Sequence, residues 1–152
     1  MNNVGVVSVK FKLLLLFVFS LASPAFSQGW YEPARGTDER QILIDTLRPF
    51  AEFVVGPPVE FVINDLRVSG DVAFVGARAQ RPGGVPIDPT QTPAFRRGQH
   101  DPVAGNLDRF HAFYVKRNGV WQVVDRTVDA HEVWWSEPSV CARFSAVTPE
   151  VC

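Results

Sequence analysis

Asn118-Gly119 sits between two β-prone runs, Asp108 to Arg117 and Val120 to Val128, and nothing else in the chain narrows its fold as much. A two-residue type I′ turn needs positive φ at both central positions, and Asn-Gly meets that need at the least cost. The turn sets a register: Arg117 faces Val120, Lys116 faces Trp121, Tyr114 faces Val123, Ala112 faces Asp125 and His111 faces Arg126. Alternation then puts Phe110, Ala112, Tyr114, Trp121 and Val123 on one face, and His111, Phe113, Val115, Val124 and Arg126 on the other. Neither face is fully polar, which predicts a hairpin inside a sheet covered at least in part on both sides.

A second hairpin is predicted over Val59 to Pro82, with Gly70-Asp71 as a type II′ turn. Pairing Ser69 with Val72 puts Val62, Leu66 and Val68 on a core face with Ala73, Val75, Ala77 and Ala79. The opposite face carries Asp65, Arg67, Arg78 and Gln80, mixed with Phe61, Ile63, Val72 and Phe74. Before it, Thr37 is a suitable helix N-cap, with Asp38 and Glu39 complementing the helix dipole. Leu43, Leu47, Phe50 and Val54 recur at helical spacing to give one apolar stripe. Pro49 is expected to kink or end that helix, and Gly56-Pro57-Pro58 to stop what remains.

Residues 81–106 hold several prolines and glycines and no period of 2 or 3.6, which predicts a long irregular loop of the kind that is functional or disordered. The end of the chain, from Asp129, reads as a turn into an aromatic segment and a tail of coil or short helix. One helix followed by four strands in two consecutive hairpins is an α+β plan, with an N-terminal helix packed on a four-stranded antiparallel sheet.

Lys10 and Lys12, the apolar run Leu13 to Ala22 and the small residues around Ser23 to Ser27 have the order of a secretory signal peptide, cleaved after Ser27. Residues 1–27 are therefore expected to be removed, leaving 28–152 as a single secreted domain, soluble and without stable membrane insertion. The apolar run is too short to span a bilayer. Losing two lysines and no acids moves the formal charge from −1 to −3. A mildly acidic domain is a poor partner for nucleic acid, whose affinity rests on clustered Lys and Arg. Cys141 and Cys152, an even pair in an exported chain, are expected to form a disulfide.

The order of helix, strand, Leu66-Arg-Val-Ser-Gly-Asp-Val-Ala-Phe-Val75, proline-rich loop and Phe110 to Trp135 resembles a group of small exported bacterial proteins of unknown role with a cystatin-like or NTF2-like pattern. The resemblance covers Thr37 to Trp135. Its specific parts are Gly70-Asp71 with Ala73-Phe74-Val75, and Gly119 with Trp121 and Val123-Val124. It implies a fold, with the simpler cystatin-like arrangement preferred, while the signal sequence points to a secreted location, the bacterial periplasm. It implies no chemistry.

Residues able to carry chemistry are few. His111 and Arg126, facing each other in the expected register, could bind a carboxylate or orient a base, with Asp125 the one acid placed toward the helix. An ordinary cross-strand polar pair accounts for the same residues. Asp129, His131 and Glu132 offer imidazole and carboxylates, but neither His100 nor His111 stands at metal-ligand spacing from them, so no metal and no cofactor is expected. The serines lack a Gly-x-Ser-x-Gly setting, which removes the usual nucleophile.

Two aromatic pairs, Trp30 with Tyr31 and Trp134 with Trp135, lie outside the regular strands, and Phe95, Arg96 and Arg97 lie in the long loop. Exposed aromatics mark binding surfaces, and loops on a small scaffold tend to carry recognition. A tail that folds back and caps a sheet edge would use the tryptophans instead. Two functions follow from this reading. The first is a binding or inhibitory module acting on an envelope protein or glycan. The second is a small cofactor-free NTF2-like enzyme or small-molecule binder, with a pocket between helix and sheet.

Overall fold

The computed structural model describes residues 29–152 apart from Pro102, Ala104 and His131. The expected signal sequence lies outside the described residues, as does His131.

Helix α1, Asp38–Val55, opens where Thr37 was expected to cap it: the Thr37 hydroxyl oxygen accepts the Arg40 N–H at 3.4 Å. It differs from expectation at Pro49, which neither ends nor interrupts it. Pro49 is exposed on the outward side, while Ala51, Val54 and Val55 beyond it are buried. Burying those side chains offsets the one hydrogen bond that proline removes. The helix ends at Gly56, φ 78°, whose N–H donates to the Glu52 carbonyl at 2.8 Å. Arg81 caps the same end, donating to the carbonyls of Val55 at 2.7 Å, Pro58 at 2.9 Å and Gly56.

Four strands follow, β1 Glu60–Ser69, β2 Val72–Gln80, β3 Arg109–Arg117 and β4 Val120–Val128, in an antiparallel sheet of order β1-β2-β3-β4. Both turns stand where they were expected: Ser69 pairs with Val72 and Arg117 with Val120, with positive φ at Gly70, Asn118 and Gly119. One face of the sheet takes Leu43, Leu47, Ala51 and Val54 of α1 against Leu66, Val75, Ala77, Phe110, Ala112 and Tyr114. The alanines let the helix approach closely. The Tyr114 hydroxyl donates to the Leu43 carbonyl at 2.9 Å inside this layer, and burial raises the pKa of its phenol.

The two outer strands each carry a bulge that shifts the expected faces. In β1 the break lies between Ile63 and Asp65, so Ile63 pairs with Ala77 and Asp65 with Gly76. Phe61 and Ile63 therefore pack on the helix side and Val62, 43 % exposed, faces out, the reverse of the expected arrangement. In β4 the extra residue is Val124: Tyr114 pairs with Val123 as expected, but Phe113 pairs with Asp125, Ala112 with Arg126 and His111 with Thr127. One inserted residue moves every later side chain to the other face. Arg126 thus lies on the helix side, its guanidinium 4.4 Å from the Phe50 ring, and Asp125 is exposed on the opposite side.

The second face of the sheet is covered by the two ends of the described chain. Phe74, Phe113 and Val115 pack with Phe144 and Val147 of the tail, joined by Trp30, Trp134 and Trp135. Helix α3, Pro138–Phe144, is held to the chain end by the Cys141–Cys152 disulfide, Cα atoms 5.3 Å apart. The aromatic tail thus covers a face of the sheet, whereas a tail folding back was expected to cap an edge.

The long loop is more ordered than its composition suggests. It contains a 3-10 turn, Pro89–Gln91, and a short helix α2, Pro93–Arg96, with Ile87, Thr92 and Ala94 buried. Asp88 and Thr92 cap the two turns, each accepting a backbone N–H, and each is followed by a proline.

Candidate functional site

The loop is fastened to the C-terminal end of α1. Pro93 packs on Gly56, where a Cβ would come within 3.2 Å of its ring. Arg97 lays its guanidinium 4.0 Å over the Phe53 ring and donates to the Phe53 carbonyl at 2.9 Å and to Gln99 Oε1 at 2.7 Å. Arg96 donates to the Gln91 carbonyl at 2.8 Å. Phe95 is 38 % exposed and Phe53 58 % exposed. Phe95, Arg96 and Arg97, expected together as binding residues of the loop, stand beside Phe53 as one exposed aromatic and guanidinium patch. Neither arginine has an acidic partner within ion-pair distance among the described residues. Such a patch offers flat apolar area, cation–π stacking and forked N–H donors for planar or anionic groups. Phe53 was missed in the sequence because it lies off the core stripe; its position eleven residues after Ile42 on one helix side was the available signal.

The other expected binding residues lie elsewhere and are largely engaged. Trp30 sits 5.0 Å beneath the Arg67 guanidinium. Tyr31 pairs its backbone with Val68, and its hydroxyl donates to Glu39 at 2.7 Å; that hydrogen bond, then burial and the Glu39 charge, raise its pKa. Trp134 meets Phe113 edge-on at 5.5 Å, and Trp135 lies 5.7 Å from Phe74 and 4.9 Å from His111.

His111, Asp125 and Arg126 do not assemble. The β4 bulge puts the sheet between Arg126 and His111, and among the described residues the Asp125 carboxylate accepts only the neighbouring Arg126 N–H. His111 lies between the Phe74 ring, nearly parallel at 6.1 Å, and Trp135. Its Nδ1 is buried and has no hydrogen-bond partner among the described residues. Burial lowers its pKa, Arg109 adds to the effect, and Asp65 and Asp129 oppose it. His100 Nε2 is 3.0 Å from the Gly105 carbonyl. Among the described residues no group of three His, Cys, Asp or Glu side chains converges as a metal site.

Beside the opposite end of α1 is a shallow open groove of about 250 Å³ lined by Ile42, Val120 and Trp121, with the Glu39–Lys116 ion pair at 3.5 Å along its wall. No helix among the described residues is long and apolar enough to cross a membrane. No protein-family model matches the chain, and neither a curated protein nor a solved structure matches it.

Proposed function

We propose that the chain is a non-catalytic binding or inhibitory module of cystatin-like or NTF2-like type, exported after cleavage behind Ser27, which engages an envelope protein or glycan through residues 81–106. The observation that carries this reading is the fastening of the loop: Arg97 clamps it to Phe53, and Phe95 and Arg96 stand exposed on α2 beside the clamp. A loop pinned in advance loses less entropy when it binds. The Cys141–Cys152 disulfide fits an oxidising compartment.

The enzyme reading needs open volume between helix and sheet. There Leu43, Leu47 and Ala51 pack against Phe110, Ala112 and Tyr114, and Phe50 meets Phe110 edge-on at 5.8 Å. Among the described residues, His111 and Arg126 lie on opposite faces of the sheet and Asp125 is exposed, so these three do not form a base with its orienting group.

The test is capture of envelope proteins and glycans by the chain and by Phe95→Ala/Arg96→Ala. Selective loss of one defined partner in the variant is the expected result. Equal capture by both, or turnover of a substrate abolished by Asp125→Asn or His111→Ala, would end this reading.

A further inference from the structure

The long loop leaves β2 and returns to β3 at the same end of the sheet, and between its two stems is a partly enclosed recess of about 280 Å³. Strand β2 supplies Arg78 and Gln80 to it, the outgoing stem Pro86 and Ile87, and the returning stem Asn106 and Asp108. Both stems are held. The Arg81 N–H donates to the Val85 carbonyl at 2.8 Å and the Gly84 N–H to the Arg81 carbonyl at 3.1 Å, in a turn that keeps Gly83 and Gly84 at positive φ. On the other side the Ala79 N–H donates to the Asp108 carbonyl at 2.7 Å, and Ile87 and Leu107 are buried. The walls are therefore set in advance, which spares a ligand the cost of ordering them.

Four polar side chains line this recess with hydrogen-bonding capacity to spare. Among the described residues no hydrogen bond engages the carboxamide of Gln80 or of Asn106, although their neighbours are tied by Gly83 to Glu60 and by Leu107 to Asp129. Arg78 Nε lies 3.6 Å from Asp108 Oδ2, an ion pair beyond hydrogen-bond distance. Arg109, directly across the sheet from Arg78, has its own acid in Asp129 at 3.7 Å. The lining is thus neutral in sum and rich in both donors and acceptors.

Those properties select the ligand. An anion drawn to Arg78 meets the Asp108 carboxylate, and a cation drawn to Asp108 meets the guanidinium. An apolar molecule would strip water from four polar groups and return no hydrogen bonds. A peptide main chain needs a free strand edge, whereas β2 and β3 are the two inner strands and are already paired with each other as far as Ala79 and Asp108. Sugar hydroxyls each donate and accept, as the two carboxamides do, and adjacent hydroxyls span a carboxylate or a guanidinium. Pro86 and Ile87 offer apolar surface to the C–H side of a ring. We infer that the recess is a subsite for one uncharged sugar ring of a glycan, whose hydroxyls bond Gln80, Asn106, Asp108 and Arg78. Its volume, just under the range of about 300–1,000 Å³ usual for drug-sized ligands, suits a single ring with the rest of the glycan outside. Such a subsite deepens the role proposed for residues 81–106, on which it rests, by making the ligand a glycan; it shares no residue with the patch at Phe95 and Arg96.

Two-dimensional amide NMR of the isotope-labelled chain, as recovered from expressing cells, tests this. Glucose, galactose, mannose and N-acetylglucosamine are each raised through the millimolar range, with the side-chain amide signals of Gln80 and Asn106 as the readout. Saturable shifts of both signals with at least one of these sugars are expected. Asp108→Asn and Gln80→Ala should each weaken that sugar's binding about fivefold or more, while an otherwise unchanged spectrum verifies that each variant folds. Phe95→Ala/Arg96→Ala should leave the sugar's affinity unaltered. No saturable shift with any of the four, affinity indifferent to both recess substitutions, or shifts produced by acetate or inorganic phosphate in place of the sugars would each overturn the subsite. A recess silent to sugars in a chain whose partner capture is lost in Phe95→Ala/Arg96→Ala would overturn the subsite alone. Sugar binding at the recess with equal capture by the parent and that variant would sustain the subsite and end the reading of the Phe95 and Arg96 patch.

Discussion

Asp129 accepts the backbone N–H of Leu107 with its carboxylate, and both residues hold positive φ, 47° and 56°. The second carboxylate oxygen takes the Arg109 N–H at 3.1 Å, so one buried side chain closes the end of the long loop onto the start of β3. Neither residue is glycine, and an L side chain at positive φ is held there by its surroundings.

Removing that carboxylate leaves a buried N–H without its partner. Asp129→Ala is expected to destabilise by about 2 kcal/mol or more, read as a lower urea midpoint at unchanged slope. Gly105→Ala tests the same joint from the other side, since its Cβ would come within 2.8 Å of Asp129 Oδ2. An unchanged midpoint in both variants would mean that the joint does not hold the loop.

Gly119→Val is expected to destabilise by more than about 1 kcal/mol, because a β-branched residue is forced to the left-handed region that Gly119 occupies at φ 77°. A melting temperature equal to the parent's would show the β3–β4 turn to be tolerant of the change.

The turns were legible because Asn118-Gly119 and Gly70-Asp71 carry their conformation in their own residue types. The bulges at Asn64 and Val124 were not, for neither residue bears a local signal. Each bulge lies in an outer strand, where a second partner strand is missing and twist is least constrained. The consequence for function is direct: reading β4 without its bulge joined His111 to Arg126 and turned Asp125 inward, an arrangement the sheet does not make. Pro49 misled for a different reason. Its local cost is real, but α1 has buried residues on both sides of it, and packing outweighs propensity. The order within the long loop was partly legible, since Asp88-Pro89 and Thr92-Pro93 each pair an N-cap residue with proline at the first helical position.

Stability is expected to fall as the solution is made mildly acidic, in part through His111. Its folded pKa is lowered, so above its unfolded value of about 6.5 the ring is neutral in both states and its packing between Phe74 and Trp135 is fully present. Below that pH the unfolded chain takes up a proton that the folded chain resists, and stability declines until the folded pKa is passed. His111→Phe keeps the stack without the proton site or the unpartnered Nδ1. Its denaturation midpoint should be at least equal to the parent's at neutral pH, with a shallower loss from pH 6.5 downward; equal slopes would exclude His111 as the source.

Arg67 ties the two ends of the described chain to the sheet, and its loss should free both. It donates to Asp65 at 2.7 Å, to Glu150 at 2.6 Å and to the Val147 carbonyl at 3.2 Å, while its guanidinium lies 5.0 Å from the Trp30 ring. The arginine side chain is largely buried and the two acids are about half exposed, so water screens much of the charge attraction. Burial pushes the Glu150 carboxyl up, but its hydrogen bonds to Arg67 and its own backbone, with the Arg67 charge, carry it below its ordinary value. The stability linked to Glu150 is therefore present above its unfolded pKa and lost as the pH falls through the folded one. Arg67→Met, which keeps apolar bulk over Trp30, is expected to cost on the order of 1–2 kcal/mol and to shift tryptophan emission to the red as Trp30, Trp134 and Trp135 meet water. Arg67→Lys should recover little of it, because an ammonium cannot hold two carboxylates and a carbonyl while stacking on an indole. Full recovery by lysine would mean that charge alone holds the tail, and unchanged emission in the methionine variant would mean that Phe113, Phe144 and the Cys141–Cys152 bridge hold it without Arg67.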